Sequence, residues 1–174
     1  ITNWYRNGTS IMILNMPFEG GSVNGNTTGV PNATRDYSGF GNNGTAYGNR
    51  SWNASGGYDG FGAYVFDGNT SYINLGRPVL ETANANHEIT FTAWIKPNNV
   101  SADDWIVSQY DVSNGSRFAW GVYSNKLRYF VGGSSVLSNS NLSVGVWQFV
   151  AATKSSSGAI TLYINGSPDA AGTL

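Results

Sequence analysis

An all-β chain folded as an antiparallel two-sheet β-sandwich is what this sequence predicts, on three observations. Short apolar or alternating runs recur at intervals of roughly ten residues, which is strand-and-turn spacing. Glycine, asparagine and serine punctuate every gap between them. No segment holds the i, i+3, i+4 apolar spacing of an amphipathic helix.

The elements follow in chain order. Residues 1–10, ITNWYRNGTS, combine a Trp-Tyr pair, one arginine and an Asn-Gly turn. They are expected as an N-terminal arm or the end of a preceding module, apart from a domain over 11–174. SIMILNMPF (10–18), GAYVFDG (62–68) and SYINL (71–75) are the first three predicted strands. EITFTAWIKP (88–97) alternates cleanly, with Ile89, Phe91, Ala93 and Ile95 on one face. DWIVSQY, SRFAWGVY, KLRYFVGG, VWQFVAATK and AITLYING follow, and KSSSGAITLYING reads as a hairpin arm with a Ser/Gly tip. The one candidate helix, LETANAN (80–86), is a turn or two long and reads more simply as a loop crossing between sheets.

Composition narrows the function classes. The 174 residues are 40% hydrophobic and 14% aromatic, enough for one domain with its own core. Only 11% are charged, with a net charge of -1, so there is neither a nucleic-acid footprint nor a basic membrane face. No apolar run approaches the roughly 20 residues of a membrane-spanning helix. Cysteine is absent, which suits a cytosolic protein or an exported one without disulfides. The chain opens at Ile1 without a Met or signal peptide, and is expected to be a piece of a longer precursor.

Asparagine points to a compartment. With 21 Asn, 20 Ser and 13 Thr, chance predicts roughly 4 Asn-x-Ser/Thr sequons. The chain has 11: Asn7, Asn26, Asn32, Asn43, Asn49, Asn53, Asn69, Asn99, Asn114, Asn141 and Asn165. Turn chemistry accounts for the Asn-Gly cases, Asn7, Asn43, Asn114 and Asn165, and leaves seven. The excess predicts N-linked glycans and an extracellular or cell-surface location.

The order of the pieces is more specific than any single one. LNMPFEGG, RDYSGFGNNGTAYGN (35–49), GAYVFDGNTSYINL, EITFTAWIKP, VWQFVAATK and GAITLYINGSP together resemble laminin-G-like domains of the concanavalin A-like lectin/glucanase superfamily. The resemblance spans residues 14–169 and implies a jelly roll. Such domains usually continue past the LYINGxP hairpin with two or three more strands. This chain stops at Leu174, so its sandwich is expected to lack its last strands or to receive them from another chain.

The resemblance also implies a structural calcium in the 35–49 loop, held by Asp36, Asn42 and backbone oxygens. The competing reading is that Asp36 caps a turn. Gly39, Gly41 and Gly44 suit positive φ in either case. Catalysis is not expected. The glucanase relatives carry Glu-x-Asp-x-Glu, which places carboxylates on one strand face; none of the ten acids here makes that pattern. Asp103-Asp104 reads as a loop before Trp105. His87 has no second His or Cys to form a zinc set. No nucleophile elbow or phosphate-binding loop is present. Trp94 and Trp147 are read as core. Trp52, Tyr58 and Phe61, in the Gly-rich SWNASGGYDGFG, are the candidate ligand-binding surface, because each ring offers an apolar plane. A glycan on Asn53, in the same loop, would obstruct it.

Two functions are therefore expected in competition. One is a non-catalytic module for adhesion or recognition, contacting glycans or surface proteins within a larger cell-surface protein. The other is a repeating subunit of an extracellular fibre, pilus-like filament or surface layer, joined to identical subunits by strand exchange. Many sequons without cysteine suit an archaeal surface protein.

Overall fold

A computed structural model describes residues 5–18, 34–76, 88–110 and 117–174, and its backbone divides into two compact units, Ile1–Val79 and Leu80–Leu174. The first unit holds β1 (Tyr5–Arg6), β2 (Thr9–Ser10), β3 (Thr45–Tyr47), β4 (Arg50–Asn53), β5 (Ala63–Phe66) and β6 (Tyr72–Asn74). These pair antiparallel as three two-stranded ladders, β1 with β2, β3 with β6 and β4 with β5. In the β1–β2 hairpin, Asn7 and Gly8 take φ of 52° and 79°, the two left-handed positions of a two-residue turn.

The second unit is the sandwich. Its strands are β7 (Ile89–Ile95), β8 (Asp104–Tyr110), β9 (Arg117–Tyr123), β10 (Lys126–Val131), β11 (Ser134–Asn141), β12 (Gln148–Lys154), β13 (Ala159–Ile164) and β14 (Ser167–Thr173). One antiparallel sheet runs β11-β10-β9-β8 and the other β14-β13-β12-β7. Tight turns set the register. Ser124-Asn125, Gly132-Gly133 and Asn165-Gly166 each fill a two-residue loop with φ positive at both positions.

Period-two alternation fills the space between the sheets. Phe91 of β7 stacks on Phe118 at 5.1 Å and on Trp120 at 5.7 Å, both from β9, and meets Tyr129 of β10 at 6.4 Å. Leu127, Val150, Ala152, Ile160 and Leu162 complete the buried set. Burying this apolar area is what drives the two layers together. One flank is closed by a polar clasp: Asp169 of β14 accepts the backbone N–H of Asn139 at 2.6 Å and that of Ser140 at 3.2 Å. Lys126 Nζ donates to the carbonyls of Ser138 and Asn139 on the same flank. Nearby, a Cβ on Gly172 would come within 2.7 Å of Val136, so the flank closes only on a glycine.

Several sequence expectations change. The run 10–18 is not a strand beyond Ser10. Its backbone is bonded instead to the following loop, with Ile13 O accepting Asn42 Nδ2 and Asn15 N donating to Asp36. Trp94 is not core: the alternation that turns Phe91 inward turns Trp94 outward, where it is 43% exposed beside Phe149. Trp147 is half-buried. Strands β3, β4, β11 and β14 were not expected, because they are short or carry few large apolar residues; β11 is mostly Ser and Asn and buries only Val136 and Ser138. The segment 80–86 lies outside the described residues, which contain no helix.

Candidate recognition surface and loop sites

The Gly/Asn loop that opens with Asp36 is built around that carboxylate. Asp36 is buried, and its Oδ1 accepts the N–H groups of Asn15 at 2.9 Å and Ser38 at 2.8 Å. Its Oδ2 accepts the Ser38 hydroxyl at 2.6 Å and the Asn42 N–H at 2.9 Å. Burial pushes this carboxyl up, but the hydrogen bonds from Ser38, Asn15 and Asn42 outweigh it and hold it below its ordinary value. Asn42 is buried beside it and donates its amide to Ile13 O at 2.6 Å. Gly39 and Gly41 have φ of 95° and 71°. Gly44 does not; it is glycine because a Cβ would lie 2.3 Å from Ile73 Cγ2.

These residues do not fit a calcium site. A carboxylate has about four lone-pair directions, and here four donors occupy them. The positive ends of N–H and O–H dipoles point where a cation would have to sit. Among the described residues, no group of three His, Cys, Asp or Glu side chains converges to hold a metal. Asp36 acts as the hub of a turn.

The second candidate lies between β4 and β5, whose pairing ends at Asn53 opposite Ala63. The connecting loop is tied internally: Gly57 N donates to Phe61 O at 2.7 Å, and Phe61 N to Asp59 Oδ1 at 3.1 Å. Tyr58 and Phe61 stand out from it, 58% and 62% exposed. Trp52 plays a different part. It is half-buried, its Nε1 donates to Phe18 O at 2.8 Å, and its ring covers Gly62 so closely that a Cβ there would meet Nε1 at 2.7 Å. Tyr58 and Phe61 therefore share the loop as its exposed rings, while Trp52 belongs to β4 and serves as a strut against Gly62 at the loop's end.

Two aromatic groupings went unread in the sequence. Tyr47 and Tyr72, register partners across β3 and β6, stack at 5.1 Å with 16° between their planes and remain exposed. On the outer face of the β8–β11 sheet, the Arg128 guanidinium lies 4.4 Å from the Tyr123 ring, 4.7 Å from Phe130 and 5.4 Å from Trp105. Its Nη1 pairs with Asp103 at 3.3 Å and its Nε donates to Ser135 at 3.0 Å. Asp103 thus has a partner, while Asp104 opens β8 rather than lying in a loop. Both groupings join residues from separate strands, and only the register brings them together.

Of the sequon asparagines, Asn7, Asn49, Asn53, Asn69, Asn99, Asn141 and Asn165 are exposed, while Asn43 is half-buried. Asn26, Asn32 and Asn114 lie outside the described residues, as does His87. Two further carboxyls are displaced, and both move down. Asp67 is held far below its usual range by Thr70 and Ser71 hydroxyls and by loop N–H groups. Asp169 is pushed up by burial, yet Ser140, Asn139 and the Lys126 charge bring it below normal.

Comparison with known proteins agrees with this architecture. No curated protein matches the chain. A laminin G-like family model, described as concanavalin A-like lectin/glucanases superfamily, matches residues 67–174. The match takes in the whole two-sheet unit and leaves the 35–49 loop outside it. With alternating inward rings, antiparallel order and family pattern in agreement, the chain belongs to the laminin G-like family of the concanavalin A-like lectin/glucanases superfamily.

Proposed function

We propose that this chain is a non-catalytic, extracellular adhesion or recognition module, N-glycosylated and part of a larger cell-surface protein. The observation that carries the reading is the pair of exposed rings, Tyr58 and Phe61, on an internally hydrogen-bonded loop strutted by Trp52. A rigid loop presenting apolar ring faces binds sugars or protein surfaces with little ordering cost. The non-catalytic reading is supported by the sequence, in which none of the ten acids makes the Glu-x-Asp-x-Glu pattern that sets two carboxylates on one strand face. The extracellular assignment is supported by seven exposed sequon asparagines. No helix among the described residues is long and apolar enough to cross a membrane.

Binding to an immobilised panel of glycans and cell-surface proteins tests the reading. Tyr58→Ala and Phe61→Ala each weaken binding about tenfold, the scale of one well-used aromatic contact. Hydrolysis of any panel polysaccharide, or binding indifferent to both variants, refutes it.

A second reading, assembly into a fibre by strand exchange, is favoured by one feature. Strand β14 has a ladder partner on one side alone among the described strands. Side-chain bonds between Asp169 and β11, rather than strand pairing, hold its other side, so a strand could add there by displacing that clasp. It requires ordered polymers at micromolar concentration that vanish when residues 1–10 are deleted.

A further inference from the structure

Sequons differ in what their carboxamides already do, and three of the described ones separate sharply. In Asn53 and Asn99 the side-chain oxygen turns back on the sequon itself. Asn53 Oδ1 accepts the N–H of Ser55 at 3.1 Å and its hydroxyl at 3.5 Å. Asn99 Oδ1 accepts the N–H of Ser101 at 2.9 Å and its hydroxyl at 2.7 Å. All four residues are exposed; Asn53 ends β4 with Ser55 in the loop that follows, and Asn99 and Ser101 lie in the loop after β7. Among the described residues, the bonds to either amide oxygen come from its own sequon.

Asn43 is the opposite case. It is half-buried, and its Oδ1 accepts the backbone N–H of Asp36 at 2.9 Å, fixing the hub residue of the turn. The next residue, Gly44, is buried against Ile73, and the sequon's Thr45 is the first residue of β3, paired with Asn74. Both ends of this sequon are committed to the fold.

Glycosyl transfer makes different demands. The amide nitrogen Nδ2 attacks the anomeric carbon of a pyrophosphate-activated, lipid-linked oligosaccharide. The C1–O bond breaks, the pyrophosphate leaves on its lipid, and the amide proton passes to a base of the transferase. For the nitrogen lone pair to attack, the carboxamide must rotate out of conjugation, and the enzyme must also reach the hydroxyl two residues on. At Asn53 and Asn99 this exchanges solvent-exposed local bonds for contacts with the enzyme. At Asn43 it takes the acceptor away from the Asp36 N–H and opens a loop whose neighbours are buried.

We propose that Asn99 is a glycan acceptor and that Asn43 is a structural sequon that stays bare. Asn53 shares the local geometry of Asn99 but is left out of the assignment, because a glycan there would cover the Tyr58 and Phe61 rings. The assignment rests on the reading of the chain as an extracellular glycoprotein and says which positions carry its sugars. Glycopeptide mapping of the protein from its native source, with Asn43→Gln and Asn99→Gln expressed in that source, tests it. Asn99→Gln removes one glycan mass and leaves the melting temperature of the deglycosylated protein unchanged. Asn43→Gln removes no glycan mass and lowers that temperature by several degrees. A glycan on Asn43, or Asn99 bare on a chain glycosylated elsewhere, overturns the assignment. All eleven sequons bare refutes the glycoprotein reading itself, and this assignment with it.

Discussion

Asp36 shows most directly how one residue decides between two chemistries that the sequence left open. An acid followed by Ser, Gly and Asn suits a calcium ligand and a turn cap equally well; the difference is whether its oxygens face cations or donors. Here they face four donors. Asp36→Ala is expected to cost about 3 kcal/mol, since it leaves buried N–H groups unpaired, with denaturant unfolding as the readout. A chelator leaves the wild-type melting temperature unchanged; a chelator-dependent fall would restore calcium to the loop. Asp36 and Asp169 both sit below the 3.8 of an unperturbed aspartate. A carboxyl depressed in the fold adds stability above its unfolded value and loses it as pH falls through its folded one. Urea midpoints should therefore hold level from neutral pH to about 5 and decline below about 4. Asp169→Asn should flatten that decline, and midpoints that rise on acidification would contradict both assignments.

At the scale of elements, the two-residue hairpins carry the register, and their chemistry was legible. Asn7-Gly8 and Asn165-Gly166 were expected as turns and form them. Asn165 also accepts the N–H of Phe149 at 3.1 Å, linking the β13–β14 turn to the start of β12. Asn165→Ala should cost about 1 kcal/mol, from one lost hydrogen bond and an unfavourable positive φ. An unchanged unfolding midpoint would remove this turn from the account of register. Asn43-Gly44 had the same dipeptide and the same expectation, yet forms no such turn, because Ile73 demands a glycine there for space rather than for φ. A dipeptide signals a conformation only when no neighbour imposes a stronger requirement. The strands that escaped notice, such as β11 and β14, are those whose burial falls on small or polar residues, where period-two alternation leaves little hydrophobic contrast.

For the whole molecule, the sandwich is held by a ring cluster that crosses between its sheets. Within it, Trp120 and Tyr129 are almost fully buried, and neither Trp120 Nε1 nor Tyr129 Oη finds a hydrogen-bond partner among the described residues. Burial pushes the Tyr129 hydroxyl well above its ordinary pKa, so it stays neutral. Its ring fills the core while its hydroxyl adds only a desolvation cost. Tyr129→Phe should therefore leave stability unchanged or raise it by about 1 kcal/mol, measured by chemical unfolding. A loss larger than that would mean the hydroxyl has a role in the core.

From its residues alone, this chain was committed to antiparallel strands, tight asparagine and glycine turns, a weakly charged surface and a family. Those properties depend on local periodicity, backbone preference and composition, which act over a few residues at a time. Tertiary structure alone brought Trp105 and Asp103 to Arg128, stacked Tyr47 on Tyr72 and placed the Asn15 N–H on Asp36. Each of these joins positions far apart in the chain. Their meeting depends on strand register and loop closure, which no single segment encodes.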